Sequence, residues 1–159
     1  MGRPYVSVII PAFNEATRII PTLEKVVEHF SDKPYEWEVV VVDDGSTDAT
    51  AQMVEDWSQS HPSVRLEKSE HRGKGWAVRR GMLSATGAYR LMSDADLAVP
   101  IHWVDQFLEQ MDLGRHIVIG SREAAGARRF DEPAYRHLMG RVFNWVVKLL
   151  AVRGFQDTQ

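Results

Sequence analysis

Asp94 and Asp96 flank a single alanine in the segment MSDADLAVP, directly after the apolar approach of Tyr89, Leu91 and Met92. Two carboxylates at the end of a buried strand repel each other and lose solvation unless something cationic compensates. A divalent cation carrying a phosphorylated ligand is one such compensation. Hard oxygen donors suit Mg2+ or Mn2+, which take one or two carboxylates and fill their remaining positions with phosphate oxygens and water. The alternative is a pair of solvated loop acids that cap the next helix. The pair is expected where the strand breaks into a loop; residues two apart on a strand share a face, so both acids can address one ion at that strand end. Pro100, four residues on, is consistent with that break.

The elements that must position these acids follow from periodicity. Val6 to Ile10 is a continuous β-branched run ended by Pro11, the pattern of a buried parallel strand. Ala16 to Phe30 has helical spacing of its apolar residues at Ile19, Ile20, Leu23, Val26, Val27 and Phe30. Glu38 to Val42 reads as a second strand, and a helix follows from Ala49 to Ser58 with Thr47 or Asp48 as its cap. Val64 to Lys68 is a short strand, Lys74 to Ala85 a helix closed by Gly87, and Tyr89 to Ser93 the strand that leads into the acids. A helix over His102 to Met111, a strand over Ile117 to Gly120 and a long apolar-rich helix over Tyr135 to Val152 complete the pattern. Repeated strand–helix units predict an α/β fold with a parallel or mostly parallel sheet covered on both faces.

In such sheets ligands sit beyond the carboxyl ends of the strands. Four polar clusters fall there: PAFNE, DDGSTD, DAD and GSR. A dinucleotide-binding dehydrogenase would need glycines after the first strand, and Pro11-Ala12-Phe13-Asn14-Glu15 has none. There is no P-loop either, so a bound diphosphate would rest on a metal rather than on a glycine-rich cradle.

The 159 residues suit one domain with a real core. A net charge of -3 argues against a nucleic-acid partner. The absence of cysteine excludes disulfides and thiolate metal sites and suits a reducing compartment. The N-terminal apolar core, roughly six residues before Asn14, is too short for a signal sequence or a membrane span.

Taken together, PAFNE, VVVDDGSTD, HRGKGWAVRRG, SDADLAVP and IGSRE, in this order, resemble the family 2 glycosyltransferases with the Rossmann-like GT-A fold. The HRGKG segment and the terminal GFQDTQ resemble the branch that glycosylates polyprenyl phosphates, the dolichyl-phosphate β-glucosyltransferase type. The resemblance runs from Val6 to Gln159 and implies a metal-dependent inverting transfer of a hexose from a UDP-sugar, with Mg2+ or Mn2+, to a dolichyl or undecaprenyl phosphate. It places the enzyme on the cytoplasmic side of a membrane. It also implies that Pro11, Ala12 and Glu15 line a nucleoside pocket and that Asp43 contacts the uracil or ribose. Asp94 would touch the nucleotide sugar as a catalytic residue, and Asp96 would hold the metal. Carboxylates such as Glu15 and Asp43 accept well from ribose hydroxyls or a base N–H. First-turn helix-dipole complementarity for Glu15, and turn formation and capping for Asp44 to Asp48, are the alternatives.

Lys74 lies between two glycines at a helix start, where a cation is unfavourable unless an anion such as a diphosphate is near. A solvated lysine in a turn is the other reading. Trp76 stands where this family is expected to carry a small residue, and Ala98 leans the donor towards glucose. An already ionised acceptor phosphate needs cations more than a base, and guanidinium forks match phosphate geometry. Arg122 at a strand end, with Arg128 and Arg129 in the following loop, are the candidates; a solvated surface pair is the alternative for the latter two. By resemblance Asp157 in the DTQ terminus lies on the acceptor side as a base or orienting group. The helix over Tyr135 to Val152 is either core or an interfacial helix meeting anionic head groups at a membrane surface. The family normally continues beyond the DTQ motif, so the chain is expected to be a truncated catalytic domain. Two other readings stay open: a family 2 transferase acting on a sugar hydroxyl in polysaccharide synthesis, and an inactive nucleotide-sugar-binding fragment.

Overall fold

The computed structural model describes residues 3–120. The chain divides into two compact units, Met1–His116 and Ile117–Gln159, and the described structure is essentially the first. Its strands are β1 (Val6–Ala12), β2 (Trp37–Asp43), β3 (Val64–Lys68) and β4 (Tyr89–Met92), interleaved with α1 (Ile19–Ser31), α2 (Thr50–Ser58), α3 (Lys74–Ser84) and α4 (Trp103–Asp112). The four strands form one sheet in the order β3-β2-β1-β4, and all the pairings are parallel.

The β-branched runs explain the layering. Val8 and Ile10 of β1 share a buried cluster with Val39 and Val41 of β2 and with Ile19, Leu23, Val26 and Phe30 of α1, Val54 of α2, and Val104 and Leu108 of α4. Ile9, Val40 and Val42 point the other way, onto Ala77 of α3 and Ala85. The central strands β1 and β2 are therefore covered on both faces over Val6–Ala12 and Val39–Asp43, which is why they read as continuous apolar runs rather than alternating ones.

Element boundaries differ from the sequence expectations for local reasons. The α1 helix starts at Ile19 rather than Ala16 because Asn14 adopts the left-handed region (φ 56°) and a turn follows, with Ile19 N–H donating to Glu15 O at 2.9 Å. The later start puts Pro21 in the first turn, where its missing N–H costs no helical bond. The α3 helix ends because Ala85 is extended (ψ 137°); Gly87 donates its N–H to Ser7 Oγ instead of capping the helix. Ile117–Gly120, expected as a fifth strand, carries no strand. Ile117 and Ile119 are exposed, and among the described residues no strand pairs with this run. The helix expected over Tyr135 to Val152 lies outside the described residues. Among the described residues no helix is long and apolar enough to cross a membrane.

At the amino ends of the strands a polar network ties the sheet to the end of α3. Glu38 Oε1 accepts from Ser7 Oγ, Thr86 N–H and Thr86 Oγ1, and its Oε2 accepts from Arg65 Nε. Burial alone would raise this carboxyl, but the hydrogen bonds outweigh it and hold the group at about 2 instead of 4.5. Because the folded value is depressed, the unfolded chain takes up the proton first as pH falls. The stabilisation is complete above about pH 4.5 and is lost between there and about pH 2. Glu38→Gln is therefore expected to lower stability at pH 7 by roughly 2 kcal/mol and to flatten the acid limb of the stability curve. Urea unfolding at pH 7 and pH 3 would show this, and parallel curves for the two proteins would refute it.

Candidate functional site

The strand order reverses at β1: the chain moves outward through β2 and β3, then returns to place β4 on the other side of β1. Open α/β sheets bind ligands at such a switch point, beyond the carboxyl ends of the strands. Pro11 helps open it. Alternate residues of a parallel strand address the same neighbour, and Ile9 O accepts from Ser93 N–H on the β4 side at 2.9 Å. Pro11 faces that side too, just where the β1–β4 pairing has ended at Ile9 and Met92. With no N–H to donate, Pro11 leaves the two strands to diverge without an unsatisfied donor.

A cleft of about 350 Å³ occupies the gap, lined among others by Pro11, Ala12, Glu15, Lys74, Asp94 and Asp96. Six of the residues expected to serve one site, from three separate segments of the chain, thus come together. Asp43 does not line this cleft. It ends β2 directly opposite Ala12 and is only 4% exposed. Its Oδ2 accepts from Ser46 N–H, while its Oδ1 is buried with no hydrogen-bond partner among the described residues. Arg122, Arg128, Arg129 and Asp157 lie outside the described residues.

The acidic pair sits in the loop that follows β4, as expected. The strand ends at Met92, and a turn follows in which Leu97 N–H donates to Asp94 O at 3.0 Å. Ala95 is buried and its carbonyl accepts from Thr22 Oγ1 of α1, so the turn is anchored from below. Asp94 and Asp96 both border the cleft. Leu97 takes a left-handed backbone (φ 49°), an uncommon conformation for a leucine, and Asp96 Oδ1 accepts Ala98 N–H at 3.0 Å. Asp94 Oδ1 meets Lys74 Nζ at 2.6 Å across the cleft.

A second set of contacts, unforeseen in the sequence, fastens the loops after β1 and β2 and the one before α3 to one another. Asn14 Oδ1 accepts from Thr47 N–H and Asp48 N–H, and Asn14 N–H donates to Ser46 Oγ. The α2 helix starts at Thr50 with Ala49 at its N-cap and no side-chain cap, so neither Thr47 nor Asp48 is the cap expected. Asp48, one residue earlier, accepts Thr50 N–H, and its other oxygen accepts Ala16 N–H. The Thr50 hydroxyl and N–H hold the Asp48 carboxyl below its ordinary value. Asp44, only 3% exposed, accepts Arg72 N–H and Gly73 N–H and lies 2.8 Å from His71 Nδ1. The His71 ring stacks on Phe13 with centroids 4.2 Å apart. Gly45 makes this closeness feasible: it has φ 73°, and a Cβ there would stand 2.8 Å from His71 N. The doubled acid of VVVDDGSTD hinted at Asp44, but its partners lie 28 and 29 residues away and leave no local pattern. Trp76 is absent from the cleft lining; its ring lies beneath the guanidinium groups of Arg72 and Arg79 at 5.0 and 5.4 Å.

Asp44→Ala removes the acceptor of two backbone N–H groups and is expected to destabilise the fold by about 2 kcal/mol. Amide exchange at Arg72 and Gly73 should accelerate with it, and unchanged protection at those two amides would refute the pinning role.

Chemically, the cleft offers carboxylates for hydroxyl donors, one lysine at the positive end of a helix, and two acids in one turn. The chain as a whole is similar to several glycosyltransferases. A dolichyl-phosphate beta-glucosyltransferase of Trichomonas vaginalis is 34% identical over 167 residues, 98% of this chain and 50% of that protein. Its counterpart in Drosophila melanogaster is 38% identical over 174 residues, 96% of this chain and 52% of that protein. The chain thus spans about half the length of the curated relatives it matches. Among solved structures, the mannosyltransferase PcManGT of Pyrobaculum calidifontis, in complex with GDP-Man and Mn2+, is 38% identical over 60% of this chain and 28% of its own, with a TM-score of 0.52. TarS of S. aureus in complex with UDP-GlcNAc, 23% identical over 75% of this chain and 38% of its own, shares the fold with a TM-score of 0.56. The parallel sheet with helices on both faces is accordingly the expected GT-A, Rossmann-like arrangement. The family model for glycosyl transferase family 2 matches residues 7–155, and the chain belongs to that family.

Proposed function

We propose that this chain is the donor-binding and catalytic domain of an inverting glycosyltransferase that moves a hexose, glucose by preference, from a UDP-sugar to a polyprenyl phosphate. The observation that carries the reading is the convergence of Pro11, Ala12, Glu15, Lys74, Asp94 and Asp96 on one cleft at the switch point. The names of the relatives support dolichyl phosphate as acceptor, and the GDP-Man and UDP-GlcNAc complexes of the structural neighbours support a nucleotide-sugar donor.

In this reading Pro11, Ala12 and Glu15 border the nucleoside; Asp43, which does not line the cleft, is assigned a contact to the base or ribose on the family resemblance alone. Lys74 and the first N–H groups of α3 face the diphosphate. Asp94 orients the sugar. The donor set fits a divalent cation: Asp94 and Asp96 present hard oxygens from one turn. No cluster of three metal-ligating side chains exists among the described residues, so phosphate oxygens would complete the shell. Mg2+ or Mn2+ held by Asp96 would supply charge neutralisation on the departing diphosphate. An acceptor phosphate oxygen attacks the anomeric carbon, the bond from that carbon to the UDP oxygen breaks, and UDP leaves. The acceptor is already ionised near neutral pH, so no proton need be abstracted. Arg122, with Arg128 and Arg129, would grip the acceptor phosphate, and Asp157 would orient it. A polyprenyl acceptor puts this chemistry at a membrane surface, on its cytoplasmic side.

The test is UDP release from a panel of UDP-sugars, with polyprenyl phosphate or an oligosaccharide as acceptor. Release from UDP-glucose with the lipid phosphate alone is expected. Turnover only with the oligosaccharide would favour a hydroxyl-directed transferase. Donor binding without turnover by this chain or a longer one would reduce the domain to a binding module.

A further inference from the structure

Lys74 and Asp94 were each expected to meet the donor, yet they meet one another. Lys74 Nζ lies 2.6 Å from Asp94 Oδ1, with the two side chains 60% and 41% exposed. An ion pair this exposed is worth little in net stability, and its members exchange partners readily. Its position matters more than its strength. Lys74 stands at the first residue of α3, after Gly73 (φ 91°), whose N–H already donates to the Asp44 carboxylate, and the positive end of the helix favours a further anion there. A lysine added to the positive end of a helix is held in place by an opposing charge, and Asp94 supplies it.

We propose that Lys74 is an exchangeable counter-cation of the acidic turn, occupying Asp94 in the empty cleft and passing to the diphosphate when the nucleotide enters. This rests on the nucleotide-sugar reading of the cleft. With Lys74 on Asp94, a divalent cation arriving alone meets one committed and one free carboxylate, too few for a hard-cation site. When a diphosphate arrives, its oxygens take over the ammonium and offer themselves to the cation, and Asp94 is released to the sugar side. Lys74 thus makes cation and nucleotide binding mutually dependent, and each ligand must raise the affinity of the other by the same factor. An unpaired lysine would add to nucleotide affinity without restraining the cation.

Calorimetry with Mn2+ alone and with UDP alone separates these cases in the wild type, Lys74→Met and Lys74→Arg. Lys74→Met is expected to bind Mn2+ without UDP roughly fivefold more tightly, because Asp94 is freed, and UDP without Mn2+ about tenfold more weakly. Lys74→Arg keeps the charge and should behave as the wild type in the Mn2+ titration. Opposite signs for the two ligands identify the exchange, since general disruption of the cleft would weaken both. Mn2+ binding unchanged, weakened or undetectable in Lys74→Met overturns the proposal, as does tighter Mn2+ binding with unchanged UDP affinity. Failure of the wild type to bind UDP would instead remove the nucleotide reading and the exchange with it, whereas the Mn2+ arm alone failing leaves that reading standing.

Discussion

Asp96→Asn is expected to lower cation-dependent UDP binding by roughly a hundredfold while leaving the fold intact. The estimate follows from chemistry: changing even an outer partner of a metal ligand costs about 10- to 100-fold in affinity, and loss of an anionic ligand belongs at the upper end. The fold should be spared because Asp96 is exposed and its one hydrogen bond among the described residues, from Ala98 N–H, can be accepted equally by an asparagine carbonyl. The left-handed Leu97 and the buried Ala95 that shape the turn are untouched. Calorimetry of UDP with Mn2+ or Mg2+, beside a urea melt, checks both halves. Unchanged cation-dependent affinity in a folded variant would reduce Asp96 to a turn-forming acid, the bland alternative for this motif.

That alternative shows where sequence reasoning reaches and where it stops. The strands were legible because Val6 to Ile10 and Glu38 to Val42 are runs that only a doubly covered sheet can bury, and Val64–Lys68 matches its observed limits. The expectation that Asp94 and Asp96 sit where the strand breaks into a loop is met by the turn at Asp94–Leu97. The fastening of the loops was not legible. Asn14 in its left-handed conformation, Asp44 on the Arg72 and Gly73 amides, and the Phe13–His71 stack are all contacts between residues far apart in sequence. Each resembles an ordinary turn residue until the partner loop is in place. Ile117–Gly120 erred for the converse reason: its apolar residues satisfy a strand pattern, but among the described residues no strand pairs with them. Gly87 was misread because a glycine after a helix suggests a cap, whereas its N–H serves the Ser7–Glu38 network.

Gly81→Val is expected to destabilise the domain by more than about 4 kcal/mol and to dismantle the cleft with it. Gly81 faces the sheet from the middle of α3, where a Cβ would stand 2.3 Å from Ile9 Cγ2 and 2.9 Å from Val42 Cγ2. Ile9 and Val42 are fully buried and belong to the two central strands, so neither can retreat without moving its own packing. The helix must move instead, and α3 carries Lys74 at its start, opposite Asp94. The milder variant Gly81→Ala gives the sharper test, because two effects of opposite sign compete. Helix propensity alone would make alanine about 1 kcal/mol more stable than glycine in a helix interior. Overpacking of a close-packed interface costs about 1–3 kcal/mol and should win here, because the nearest atoms are methyl groups of rigid β-branched residues rather than the ends of flexible chains. Urea unfolding should therefore place Gly81→Ala below the wild type by about 1–2 kcal/mol, with a matching loss of UDP affinity as Lys74 is displaced. A Gly81→Ala protein as stable as the wild type, or more so, would mean that α3 does not press on Ile9 and Val42, and that the position of Lys74 has some other origin.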